Sequence, residues 1–109
     1  MIKPTANTIA LIKGRIVVTV VGSQTQESVE AAQAAAARLV PTSSPVDMLI
    51  DLRKTTGHTM GARLAARHFL EELPLRRVAI YGAQLQLKIV VNLIIKSAGL
   101  SHRVATWST

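Results

Sequence analysis

The feature that most constrains this chain is a regular alternation of short β-rich runs with helical ones, each boundary marked by Gly or Pro. Residues 8–12 and 15–21 are two such runs joined by Lys13-Gly14, a connection in which glycine can take the positive φ of a tight hairpin. After Gly22, Ser23 or Thr25 supplies a helix cap, and Val29, Ala32, Ala36, Leu39 and Val40 recur at helical spacing. Pro41-Thr42-Ser43-Ser44-Pro45 stops that helix. Residues 46–52 read as a buried strand, 53–58 as a polar loop, and Thr59 as the cap of a helix over 60–73. That helix turns Ala62, Ala65, Ala66, Phe69 and Leu73 inward and Arg63, Arg67, Glu71 and Glu72 outward. Pro74 ends it, 78–81 form the next strand, and Gly82 leads into a helix over 84–98. Gly99 closes this helix, and 103–107 form the last strand. The predicted order is ββαβαβαβ, an α/β fold whose sheet is mostly parallel and opens with an antiparallel hairpin.

A chain of 109 residues, 49% hydrophobic and 17% charged, fits one domain over 1–109 with a single aliphatic core. The absence of cysteine excludes disulfides, thiolate catalysis and cysteine-ligated metals. The N-terminus lacks the apolar run of a signal peptide, and Lys88, Asn92 and Lys96 interrupt the most hydrophobic segment, so a soluble cytoplasmic protein is expected. Net charge is +7, from thirteen Lys and Arg against six Asp and Glu, which favours anionic partners. The basic residues are dispersed and only Phe69, Tyr81 and Trp107 are aromatic, so nucleic acid is disfavoured as a partner.

The helix over 84–98 carries two apolar stripes where a surface helix needs one. Leu87, Val90, Val91, Ile94, Ile95 and Ala98 form a broad face, while Leu85, Ile89 and Leu93 form a second, narrower one, with Lys96 projecting amid it. If the helix is simply well buried, the narrow stripe is core. If not, it offers a homodimer seam, a lid over an apolar ligand, or a face for a membrane surface.

Several motifs in order resemble the SpoIIAA-like family, a branch of the STAS domains with likeness to the lipid-binding Sec14 domains. They are the opening hairpin with its Lys-Gly turn, Met48-Leu49-Ile50-Asp51-Leu52-Arg53 with the threonine-rich stretch after it, and Leu73-Pro74-Leu75-Arg76-Arg77-Val78-Ala79-Ile80-Tyr81-Gly82. An aliphatic helix and His102-Arg103-Val104-Ala105 complete the set, and the resemblance runs from about residue 8 to 106. It implies a single STAS-like domain with no assigned enzymatic reaction. Anti-sigma-factor antagonists of this fold carry an Asp-Ser-Ser-Gly type phosphoacceptor at the helix start after the third strand. Here the sequence reads Gly57-His58-Thr59-Met60-Gly61, with no serine, although Thr55, Thr56 and Thr59 offer hydroxyls. The family's closing helix is also missing before the sequence stops at Thr109, which is expected to leave one sheet face or edge less covered.

The candidate ligand-binding residues follow from both readings. Arg53, Lys54, Thr56, His58 and Thr59 gather at a strand C-terminus and a helix N-terminus, where backbone N–H groups favour anions, and Tyr81 should emerge beside them. Thr59 acting only as a cap, with solvated cations around it, is the simpler account of the same residues. Leu85, Ile89 and Leu93 would take the apolar part of a ligand. His58, His68 and His102 lack the company of metal ligands, so no metal and no cofactor is expected. Asp47 and Asp51 share a strand face without evidence of a pocket, and no catalytic residue is assigned. The expected function is a non-enzymatic module that binds a small apolar or amphiphilic ligand or a membrane surface. The alternative is a protein-interaction regulator resembling anti-sigma-factor antagonists, its partner docking near Thr59.

Overall fold

Lys13 and Gly14 take φ of 51° and 78°, the pair of positive values that a two-residue hairpin with right-handed strand twist requires. They set β1 (Thr8–Ile12) antiparallel to β2 (Arg15–Gln24), with Ile9 opposite Val18 and Ile12 opposite Arg15. The remaining elements of this computed structural model, which describes residues 7–40 and 45–107, are α1 (Gln26–Leu39), β3 (Val46–His58), α2 (Met60–Glu72), β4 (Leu75–Tyr81), α3 (Leu85–Ser97) and β5 (Val104–Trp107). The order ββαβαβαβ is the expected one. The 41–44 part of the Pro-rich stop lies outside the described residues.

The sheet order is β1-β2-β3-β4-β5, and every pair after the hairpin is parallel. Each crossover steps one strand in the same direction, so right-handed connections place all three helices on one side of the sheet. The core lies there. Ile16, Val18, Met48, Ile50, Val78, Ile80 and Val104 from the strands meet Ala32 and Ala36 of α1, Phe69 and Leu70 of α2, and Ile95 of α3. The opposite face has no helix over it among the described residues. Register places Ala10, Val17, Leu49, Ala79 and Ala105 in one row across that face.

Helix ends follow local chemistry. Thr25 and Ser28 form a capping box at α1, Ser28 N–H donating to Thr25 Oγ1 at 3.2 Å and Thr25 N–H to Ser28 Oγ at 2.9 Å. Thr59 caps α2 by accepting from Ala62 N–H at 3.1 Å. The C-terminus of α3 closes with Gly99 at φ 70°, Gly99 N–H donating to Lys96 O and Leu100 N–H to Ile95 O. Leu100 and Ile95 are both buried, so this end of α3 is fastened to the core. Its other end, at Gln84, has no side-chain cap.

Two expectations need correction. Residues 53–58 are not a loop: β3 continues to His58, pairing Lys54, Thr55, Gly57 and His58 with Val21, Gly22, Ser23 and Gln24. The polar sequence hides this because two register shifts interrupt the alternation that marks a strand. The strand over 78–81 also starts earlier, at Leu75, whose side chain is buried beside Val46 in the register.

Candidate functional site

A regular strand sends alternate side chains to opposite faces, so counting on from Ile50 would put residues 52, 54, 56 and 58 on the helix side. The two shifts change that count. Thr19 pairs with Asp51 and Val21 with Lys54, so β3 holds one extra residue there; a second extra residue falls between Thr55 and Gly57. The first bulge brings Thr55 to the helix side, and the second returns His58 to it. Both then line a cavity of about 140 Å³ between the sheet and the helices.

The cavity walls are apolar. Val18, Ile50 and Leu52 form its floor, Phe69, Leu70 and Ala66 one side, and Val90, Val91 and Ile94 of α3 the other. Among the described residues its polar lining consists of Asn7, Gln24, Thr55, His58 and Arg63, with no carboxylate. Asn7 and Gln24 are occupied with each other and with the backbone. Asn7 Nδ2 donates to Gln24 Oε1 at 2.9 Å, Gln24 Nε2 donates to Val21 O at 3.0 Å, and Ser28 Oγ donates to Gln24 Oε1 at 2.9 Å. The other three residues are different. Among the described residues the buried side-chain polar atoms without a hydrogen-bond partner are Thr55 Oγ1, His58 Nε2 and Arg63 Nε; the three residues line this cavity with their apolar parts. The almost wholly apolar space between sheet and helices is what marks this place as a binding site candidate.

Arg63 lies in the first turn of α2, and its neighbours four residues away, Thr59 and Arg67, offer it no carboxylate. Arg67 instead pairs with Glu71 at 3.4 Å and His68 with Glu72 at 3.6 Å, both on the exposed side of the helix. Arg63 forms no ion pair among the described residues.

The sequence-based candidates divide between three places. His58 lines the cavity. Arg53 and Tyr81 lie on the helix-free face, where Asp51 binds the Arg53 guanidinium through 3.0 and 2.8 Å hydrogen bonds and also accepts from Arg53 N–H at 2.9 Å. The guanidinium stands 5.3 Å from the Tyr81 ring centroid. This arrangement holds the Asp51 carboxyl down at about 2, mainly through the hydrogen bonds from Arg53, against the opposing effect of burial. Gly82, at φ 80°, permits it, because a Cβ there would collide with Arg53 Cγ and stand 3.0 Å from its backbone nitrogen. Lys54, Thr56 and Thr59 are exposed at the same end of the sheet. Leu85, Ile89 and Leu93 point outward from α3, 74%, 54% and 62% exposed, while Leu87, Val90, Val91 and Ile94 of the broad face line the cavity. The narrow stripe is thus not core.

Arg63, expected to face outward with Arg67, Glu71 and Glu72, instead lines the cavity, and Thr55 stands out in the sequence only as one hydroxyl of a polar loop. For Arg63 a signal existed: it shares an i, i+3, i+7 line with Ala66 and Leu70, and it lacks an acidic neighbour at helical spacing. For Thr55 none did, since its face depends on the bulge.

Comparison with known proteins settles the architecture. An uncharacterised protein of the DUF3478 family with a SpoIIAA-like fold, from Shewanella loihica, superposes with a TM-score of 0.63 at 18% identity, covering 94% of this chain and 84% of that one. The anti-sigma factor antagonist SpoIIAA in its unphosphorylated form superposes with a TM-score of 0.64 at 11% identity, covering 95% and 87%. The chain has the SpoIIAA-like fold. No protein-family model and no curated protein matches it. No helix of this SpoIIAA-like structure is long and apolar enough to cross a membrane, judged on the described residues.

Proposed function

We propose that this SpoIIAA-like protein is a binding module without a catalytic role, and that it takes a small amphiphilic molecule into the cavity between its sheet, α2 and α3. One observation carries the reading: a space of about 140 Å³ with almost wholly apolar walls lies between the sheet, α2 and α3. Burial of apolar ligand surface supplies the affinity. Benzene, which fits a dry cavity of this size, tests the apolar part. Millimolar benzene should raise the Tm of the full chain, and Ala66→Leu, which projects into the space, should abolish the rise. An unchanged Tm in the native chain would refute the reading.

The outward stripe Leu85, Ile89 and Leu93 gives the module a second contact surface, for an anionic membrane or a second copy in a homodimer. Flotation with phosphatidylserine vesicles and sedimentation equilibrium separate those occupants. A regulator that docks a protein partner is the other reading, favoured by Met60 and Leu64, 65% and 60% exposed beside the exposed Thr59. On that reading Thr59→Asp or Leu64→Asp changes partner binding and leaves the benzene response intact.

A further inference from the structure

We propose that the helix-free face of the sheet docks an acidic amphipathic helix of a partner protein, laid across the strands with its carboxylates on Arg15, Arg77 and Arg103. Register builds the cationic row. Ile16, Met48, Val78 and Val104 are buried on the helix side, so Arg15, Asp47, Arg77 and Arg103, each one residue earlier, fall on the open side. Val46 pairs with Leu75 and Met48 with Val78, so two residues of β4, Arg76 and Arg77, stand opposite Asp47 alone. Arg76 takes that carboxylate, its Nε and Nη2 donating at 3.0 and 2.7 Å. Arg77 is left over, and Arg15 flanks Asp47 from β2. The Arg76 hydrogen bonds hold the Asp47 carboxyl below its usual value against the effect of burial, and the charges of Arg77 and Arg15 add to that hold. Arg15, Asp47, Arg77 and Arg103 line a single groove of about 340 Å³ together with Leu49 and Ala79.

The charge of the occupant follows. Of the six acidic residues, Glu27 and Glu30 are in α1, Glu71 and Glu72 in α2, and only Asp47 and Asp51 on the open face. Those two are held by Arg76 and Arg53. Arg15, Arg77 and Arg103 form no ion pair among the described residues, so an acidic partner complements them. Its shape follows from the row two residues further along each parallel strand. Ala10, Val17, Leu49, Ala79 and Ala105 cross all five strands, and none of them is buried. Four strand spacings of ~4.8 Å make this row about 19 Å long, the length of a helix of about 13 residues. Its three alanines permit close approach, and parallel strands are ordinarily covered on both faces. A helix with one apolar stripe and carboxylates along its flank matches both rows at once. Nucleic acid would leave the apolar row without a partner, and a bilayer would call for larger apolar side chains than alanine.

Phage display of 15-residue helix-forming peptides against the full chain tests the assignment, with single-stranded DNA and phosphatidylserine vesicles assayed alongside. Selected peptides should be acidic, bind in fluorescence anisotropy, and shift the amide signals of Leu49, Ala79 and Ala105 rather than those of α2 or α3. Arg15→Gln and Arg77→Gln, which break no ion pair, should each weaken binding about threefold, and together about tenfold. Asp47→Asn removes the carboxylate from the groove and should tighten binding about twofold. Selection of no acidic peptide, peptides that map to α2 or α3, or affinities indifferent to Arg15 and Arg77 each overturn the proposal. Binding of DNA or vesicles through those arginines, with no peptide selected, overturns it in favour of that other partner.

Discussion

Two polar clusters arise from adjacent stretches of the same chain, and they end in opposite states. Asp51, Arg53 and Tyr81 lie on the helix-free face with their hydrogen bonds closed on one another. Thr55, His58 and Arg63 line the apolar cavity on the covered face, and Thr55 Oγ1, His58 Nε2 and Arg63 Nε are buried there without a partner. Only two to four residues separate Arg53 from Thr55 and Asp51 from Thr55, and a single extra residue in β3 decides which side each reaches. The comparison teaches that polar composition at a strand end does not identify a site. Hydrogen-bond closure separates the two: the first cluster is saturated, and the second leaves three buried atoms without a partner.

The sharpest way to break this contrast is at Gly82. Gly82→Ala combines a positive-φ penalty with a collision against Arg53, and should destabilise the fold by about 2–4 kcal/mol, read as a fall in denaturation midpoint at constant m. Asp51→Asn comes next. It removes the acceptor charge from a hydrogen-bonded guanidinium that is largely exposed, so the loss should be about 1–2 kcal/mol at pH 7. The pH dependence fixes the sign. Asp51 binds its proton more readily unfolded than folded, so its contribution is complete above the ordinary carboxylate value of 3.8 and is lost as pH falls toward about 2. Denaturation midpoints between pH 5 and 2 should drop more steeply in the native protein than in Asp51→Asn.

The open cluster should respond in the opposite direction. Thr55→Val replaces a buried hydroxyl without a partner by an apolar group of the same shape, and should raise stability by about 1 kcal/mol, measured without ligand. A loss instead would mean that the hydroxyl is already satisfied, and the contrast between the clusters would fall. Ile89→Asp should have the smallest effect, within about 0.5 kcal/mol, because Ile89 is outside the core; its influence should appear in vesicle or self-association instead.

The parts of the fold legible in the sequence are those encoded within a few residues. Lys13-Gly14 specifies the hairpin, Thr25 and Thr59 cap their helices, Gly99 ends α3, and the alternation of elements implies the parallel order. The two stripes of α3 were legible for the same reason, since helical geometry fixes their separation whatever surrounds them. Arg53-Lys54-Thr55-Thr56-Gly57-His58 was not, because its extended form depends on pairing with Val21 to Gln24, distant in sequence, through two bulges. The candidate site inherits that difficulty. His58 could be noticed by composition, but which of the neighbouring threonines faces the cavity is decided by the register.

The sequential order of the sheet has a consequence for how the chain assembles. No strand has to be inserted between two already in place, because each βα unit joins the free edge left by the one before it. Growth can begin from the β1–β2 hairpin and proceed in the direction of synthesis, each addition closing only a loop of one crossover. The last arrival, β5, has four residues and among the described residues pairs only with β4, so stepwise shortening from that end should peel the sheet without disturbing the strands laid down first.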